Sequence, residues 1–272
     1  MDRDQIRQHW TNWASTYGGD LRATTKTWTP KVLEVDALSR RLQSLGGTDL
    51  SILEVGCGNG INCIELAKLH PKSRFDGVDF VPEMVTAASE NSQKSGIGDR
   101  LRFLVGDVLA LDKVAGLRDT YDVVFTDRCL INLNAVSLQE QAITALSRKV
   151  RVGGHLFMIE NSLATYQDQN RCREMLGLKP RTPAAFNLFF DEARIRPHIA
   201  AIGLNLVDVE DFISLHDLVL YALVPAVNGG ELDYNHPLVH AAMTLSKEMS
   251  AAKPGAFGAF GQNRLYVCHK PS

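Results

Sequence analysis

Four carboxylates, Asp79, Asp107, Asp127 and Glu160, each close a short apolar run, and upstream a further run, Ile52-Leu-Glu-Val, leads directly into Gly56-Cys-Gly58-Asn-Gly60. Glycines at such a turn let the backbone bend sharply and approach a ligand with no Cβ in the way. Asp79, 19 residues past Gly60, is placed to accept hydrogen bonds from both ribose hydroxyls of a nucleoside. Asp107, with apolar Val108 beside it, can take an adenine amino group and pack on its ring. Four strand-end carboxylates in register with one glycine loop favour a ligand site over four unrelated solvated strand ends. Two common nucleotide sites are excluded. The dinucleotide turn would place its third glycine at position 61, which is isoleucine, and no GxxxxGK[ST] for a nucleoside triphosphate occurs.

Carboxylates so spaced need a scaffold that brings them to one edge. Strand-like runs at Ser51–Val55, Arg74–Val78, Leu101–Val105, Tyr121–Thr126 and His155–Ile159 alternate with helical segments such as Asn62–His70. That alternation predicts an α/β fold with a parallel sheet. Asn205–Phe212 and Arg264–His269 read as two more strands, separated by less regular stretches. Ahead of the sheet, Ile6, Trp10, Trp13 and Tyr17 share one helical face up to Gly18-Gly19. A second helix, with Thr29 as cap and Pro30 as first residue, carries Val35, Leu38, Leu42 and Leu45 to Gly46-Gly47. The predicted organisation is one domain over 1–272: a helical cap at 1–46, a cofactor-binding core at 47–160, substrate-side inserts at 161–203 and 214–263, and final strands at 204–213 and 264–270.

Composition narrows the function. The 272 residues, 45% of them apolar, supply a full core. With 29 Lys and Arg against 31 Asp and Glu, the net charge of -2 gives nucleic acid no broad basic footprint. The longest apolar run, Leu218–Val227, has ten residues and contains Pro225, short of the ~20 a membrane-spanning helix needs. The first ten residues are charged rather than apolar, so a cytoplasmic protein is expected. Five scattered cysteines lack zinc-site spacing and read as reduced structural thiols, and no metal is expected.

Taken together, these residues resemble the class I S-adenosylmethionine-dependent methyltransferases over roughly 50–160. Glu54-Val-Gly56-Cys-Gly58-Asn-Gly60 resembles their first motif, Gly77-Val-Asp79-Phe-Val-Pro-Glu-Met84 the second, Gly106-Asp107-Val108 the third and Tyr121-Asp-Val-Val-Phe-Thr-Asp127 the fourth. The resemblance implies a Rossmann-like seven-stranded sheet, parallel except for one antiparallel strand, and S-adenosylmethionine as cofactor. It implies that Gly56, Cys57, Gly58 and the loop to Gly60 hold the methionine part, with Glu54 orienting the loop through hydrogen bonds. Asp79 would meet the ribose and Asp107 with Val108 the adenine; Phe80 and Asp127 are further cofactor-binding candidates, as is Tyr17 where the leader roofs the cofactor. A narrower resemblance, in Asp127-Arg-Cys-Leu-Ile-Asn-Leu133, Ile159-Glu-Asn161, Asn170 to Leu178, Asn187 to Glu192 and Phe260 to Tyr266, is to a bacterial subgroup linked to surface-sugar and secondary-metabolite biosynthesis.

Methyl transfer from a sulfonium is an in-line displacement that asks mainly for two reactants held in line in a dry site. A hydroxyl acceptor gains from a general base, for which Asp127, Glu160 and His216 are the candidates. Residues 171–196 hold six basic side chains against three acidic ones, and arginine forks suit carboxylate or phosphate. Arg173 is accordingly the leading acceptor-binding candidate, with Arg128, Asn132, Asn161 and Asn187. The tryptophan-bearing leader either packs on the sheet or roofs the cofactor. The expectation is a small, sugar-like or anionic acceptor methylated on a hydroxyl in a biosynthetic pathway, with a small amine next. A cofactor-binding protein without transferase activity is the alternative.

Overall fold

The computed structural model describes residues 2–271. The first helix, α1 (Arg3–Tyr17), begins with a reciprocal cap. The Asp2 carboxylate accepts from the Gln5 amide at 2.8 Å, and the Gln5 side chain accepts from the Asp2 amide at 3.0 Å. Gly18 ends the helix at φ +49°. The second, α2 (Trp28–Ser44), starts two residues earlier than the sequence predicts: Thr27 is its cap, and Pro30 lies within the first turn, where its missing N–H has no helical partner to lose.

The predicted alternation follows as β1 (Ser51–Val55), α3 (Ile61–Leu69), β2 (Arg74–Asp79), α4 (Pro82–Lys94), β3 (Leu101–Val105), β4 (Tyr121–Asp127), α5 (Val136–Lys149) and β5 (Val150–Asn161). The chain continues through α6 (Leu163–Met175), α7 (Glu192–Ala201), β6 (Asn205–Glu210), α8 (Ser214–Leu218), α9 (Val224–Val227), α10 (Pro237–Ala252) and β7 (Asn263–His269). The sheet order is β3-β2-β1-β4-β5-β7-β6, parallel except that β7 runs antiparallel to both neighbours. This is the Rossmann-like seven-stranded sheet expected. β5 is longer than predicted at both ends: Val150 pairs with Tyr121 of β4, and β7 pairs along its outer edge from His155 opposite His269 to Asn161 opposite Asn263. The stretches predicted to be irregular contain helices. In α6 the buried face includes Gln169 and Arg173, so no apolar stripe marks it.

The strands are buried on both faces with a period of two. Ile52, Val123, Phe125, Phe157 and Ile159 pack with α2 and α3 residues such as Leu38, Leu42 and Leu66. Their neighbours Leu53, Val55, Val124, Leu156 and Met158 pack with Ala142, Ile143 and Leu146 of α5. Strand order reverses between β1 and β4, so the chain leaves a crevice at their carboxyl ends. Among the described residues no helix is long and apolar enough to cross a membrane.

Candidate active site

A cavity of about 480 Å³ opens at that crevice. Its floor is the glycine loop. Gly56 sits at φ +78°, and a Cβ there would fall 2.5 Å from the Cys129 Sγ; Gly58 sits at φ +52°, and a Cβ there would fall 2.6 Å from the Thr24 Cγ2. The Gly58 amide donates to Asp79 Oδ2 at 2.8 Å, and the Val81 amide to Oδ1 at 3.0 Å. Cys57 and Phe80 line the cavity, whereas Gly60 turns the chain into α3 against Phe103 and Ala88 and is not among the lining residues. The Asn59 Nδ2 donates to Asp20 O at 2.8 Å and Gly18 O at 3.2 Å, while its buried Oδ1 has no partner. A second cavity of about 50 Å³ shares Gly56 and Phe80 with the first and is lined by Asp107, Val108, Leu133 and Arg3. Arg3 pairs with Asp107.

These features suit S-adenosylmethionine. The glycine cradle has room only while no Cβ fills it, the orphaned Asn59 oxygen can accept from an ammonium, Asp79 is a buried acceptor for ribose, and the smaller cavity is a slot with a carboxylate at its rim. The slot calls for Arg3 to give way to an adenine amino group.

The acceptor side is built around a buried charge network the sequence did not reveal. Lys31 of α2, 2% exposed, lies 2.5 Å from Asp127 Oδ2 and 2.7 Å from Glu34 Oε2, and donates to Asn62 Oδ1 at 2.9 Å. Arg128 approaches the same two carboxylates at 3.1 and 3.3 Å. Asn263 donates to Glu34 at 2.9 Å and accepts from Asn161 at 2.5 Å. Two cations face two anions, so the cluster is close to neutral. Burial alone would raise the Asp127 carboxyl, but Lys31 and Arg128 outweigh it and hold this group well below the usual carboxylate range. Asp127, a predicted base that does line the cavity, is therefore an ionised, paired anchor rather than a proton acceptor.

The other predicted residues divide. Arg128, Asn132, Asn161 and Asn187 line the cavity. Glu160 does not: fully buried, it accepts from Thr126 Oγ1 at 2.9 Å and from the Cys129, Leu130 and Ile131 amides at 3.0–3.2 Å. It is consumed in fixing the turn after β4, which carries Arg128 at φ +54°. His216 is also fully buried and away from the cavity, with Nδ1 at 2.9 Å from Asp217 and Nε2 at 3.0 Å from Thr29. Neither is free to serve as base. Arg173, 5% exposed, is spent on the carbonyls of Lys179 and Tyr221. Of its basic segment, none of the cations lines the cavity. Tyr17 packs against Trp13 and under Arg22 outside it, while Trp10, Trp13 and His9 of the same helix form its roof with Phe186. Glu54 reaches the first turn of α3, accepting from Asn62 at 2.8 Å and from the Cys63 thiol at 3.0 Å, rather than the glycine loop. Tyr221, Tyr234, Asp217 and Gln262 also line the cavity. Tyr221, Tyr234 and Asp217 come from stretches whose spacing carried no motif, and Gln262 from the Phe260–Tyr266 stretch.

Burial raises three carboxyls here: Glu54 to about 8, Glu160 to about 7 and Asp79 to about 6. A carboxyl raised in the fold contributes stability below its unfolded value, and that contribution is lost as pH climbs through the folded one. The melting temperature of the cofactor-free protein should accordingly fall from about pH 5 to about pH 8, and the fall should shrink in Glu54→Gln. Thermal melts across that window check this; equal slopes in both proteins would refute it.

The profile of the methyltransferase domain matches residues 47–187. A ribosomal protein L11 methyltransferase from Pectobacterium carotovorum is 35% identical over 130 residues, 47% of this chain and 39% of that one. The chain spans between a quarter and two fifths of the length of the curated relatives it matches. Among solved structures, magnesium protoporphyrin IX methyltransferase from Synechocystis PCC 6803 with bound SAH superposes with a TM-score of 0.61 at 17% identity, covering 99% of this chain and 100% of that one. A [4+2]-cyclase superposes with a TM-score of 0.56 at 17% identity, covering 87% and 81%. At such identities the likeness is one of fold.

Proposed function

The chain belongs to the methyltransferase-domain family, and from that premise we propose that it transfers the methyl group of S-adenosylmethionine to a hydroxyl of a small, sugar-like molecule. The observation that carries this is the lining of the cavity. Lys31, Arg128 and Asp127 are neutralised within the buried network and Arg22 pairs with Asp20, so apart from Lys26 and Asp217 what faces an acceptor is largely neutral and aromatic. The Asn187 Oδ1 is buried without a partner, and an unmade buried hydrogen bond is costly enough to favour a ligand that makes it. Trp10, Trp13 and Phe186 offer ring faces on which the C–H faces of a sugar ring can pack. An acidic acceptor would meet Lys26 at the mouth, whose ammonium lies 5.1 Å from the centre of the Tyr234 ring. A volume of about 480 Å³ suits a cofactor tail and a small acceptor rather than a polymer.

When bound, the cofactor supplies an electrophilic methyl group on a sulfonium. The chain's own residues hold and seal. Trp10 Nε1 donates to Asn132 Oδ1 at 3.3 Å, and His9 and Phe186 close ring to ring at 4.5 Å, so the roof spans from α1 to the segment before α7. Lys31 keeps Asp127 and Asn62 in place below. Holding donor and acceptor in line is the main catalytic device such a site offers. The test is calorimetry with S-adenosylmethionine, followed by label transfer from radiolabelled S-adenosylmethionine to a panel of sugars and small amines. Label on a sugar oxygen supports the reading. Label only on amines, or binding with no transfer to any of the panel, overturns it in favour of an N-methyltransferase or a cofactor-binding protein.

A further inference from the structure

Tyr221 stands in an interruption between α8 and α9, where residues Val219–Leu223 form a wider π-turn. Its cause is Pro225. Lacking an N–H, Pro225 cannot donate to the carbonyl four residues back, which is that of Tyr221, and its ring crowds that oxygen. Arg173 takes the freed oxygen instead, donating from Nη1 at 2.5 Å while its Nε donates to Lys179 O at 2.9 Å. The ring is fixed as well. The Arg181 guanidinium lies 3.6 Å from its centre and is held in turn by Gln169 at 3.0 Å and Gln262 at 2.8 Å. Turns of this wider kind are frequent at functional sites.

The result is a phenol clamped at backbone and ring on the cavity wall. Among the described residues its hydroxyl makes no hydrogen bond. Asp217, four residues earlier and on the same wall, has Oδ1 at 2.9 Å from His216 Nδ1 and accepts the Gln262 amide on Oδ2 at 2.6 Å. Each of its oxygens keeps room for one more donor. A fixed carboxylate and a fixed phenol one turn apart present an acceptor beside a group that both donates and accepts. Two hydroxyls on adjacent carbons answer that pattern.

We propose that Asp217 and Tyr221 form a wall that reads a vicinal diol of the methyl acceptor, with Arg173 and Arg181 as its positioning residues. This rests on the reading of the chain as an S-adenosylmethionine-dependent enzyme acting on hydroxyls. It also gives Arg173 a purpose that its charge alone did not suggest.

The test is ligand-observed NMR on the full chain saturated with S-adenosylhomocysteine, using myo-inositol and catechol as diol probes and cyclohexanol and phenol as their single-hydroxyl counterparts. The wild type should bind each diol about 10-fold more tightly than its counterpart. Tyr221→Phe, which keeps the ring and the Arg181 stack, should lose that preference with its affinity for S-adenosylhomocysteine and its melting temperature unchanged. Arg173→Met should lose it as well, and Arg173→Lys, which can still donate to the Tyr221 carbonyl, should recover part of it. Absence of a diol preference in the wild type, or its survival in Tyr221→Phe, overturns the proposal. Failure of the wild type to bind S-adenosylhomocysteine at all would instead sink the cofactor reading, and the proposal with it.

Discussion

Replacing Lys31 by methionine is expected to destabilise the protein by about 3–5 kcal/mol at neutral pH, seen as a fall in melting temperature of roughly 10 °C. Methionine fills much of the same volume, so the loss is one of charge. Lys31 lies 2.5 Å from Asp127 and 2.7 Å from Glu34, and the two carboxylates are 2% and 0% exposed at their side chains. Without the ammonium, Arg128 alone faces both. A buried charge left without its partner costs far more than the pair ever contributed. The pH dependence has a definite sign. Asp127 is depressed in the fold, so its contribution is present above the unfolded carboxylate value and lost as pH falls through the folded one. The variant lacks that contribution, so the gap from wild type should be widest near neutrality and close in acid. Adding Asp127→Asn to the variant should restore part of the loss, because it removes the stranded charge. Chemical denaturation at two pH values measures this; a gap below about 1 kcal/mol, or one equally wide in acid, would show that the network is not what supports α2 on the sheet.

Gly56→Ala should reduce affinity for S-adenosylhomocysteine by more than about 100-fold while leaving a folded protein. Two effects add. An alanine at φ +78° is strained, and its Cβ would lie 2.5 and 2.6 Å from the Cys129 Sγ and Cβ. The loop cannot slide away, because the Gly56 and Cys57 amides both bond to Val78 O, at 2.7 and 3.0 Å. Nor can Cys129 retreat, since its amide is held by Glu160 at 3.2 Å. The clash must therefore be relieved by opening the cradle that the cofactor needs. Calorimetry decides the matter, and Cys129→Gly added to the same variant should win back part of the affinity. An affinity within about 3-fold of wild type would mean that the loop is softer than its hydrogen bonds indicate.

The contrast between these two residues shows where sequence reading succeeds. Gly56 is conspicuous because a local turn imposes a local requirement: only glycine combines positive φ with close approach. Asp79 and Asp107 were visible for the same reason, each closing an apolar run of strand length. Lys31 and Glu34 carry no such mark. They stand in a helix whose other residues, Leu33, Val35 and Leu38 among them, face the core, and their partners Asp127 and Arg128 lie more than ninety positions away.

The misassigned residues follow the same division. Glu160 and His216 are of the right chemical type and near the right edge, but whether a side chain reaches the cavity or is used up behind it depends on what packs around it. Glu160 meets the turn after β4, and His216 meets Thr29 of α2. Arg173 stands in a local charge surplus, yet its partner is a carbonyl released by a proline 52 positions downstream. What the sequence by itself determined is the α/β sheet, the glycine turn and the acidic strand ends, since period-two burial and backbone sterics act over a few residues. Only the tertiary structure decided which charges neutralise one another, which polar atoms are left facing the cavity and which side chains form its walls. Those outcomes depend on desolvation and on partners that the fold alone brings within hydrogen-bond distance.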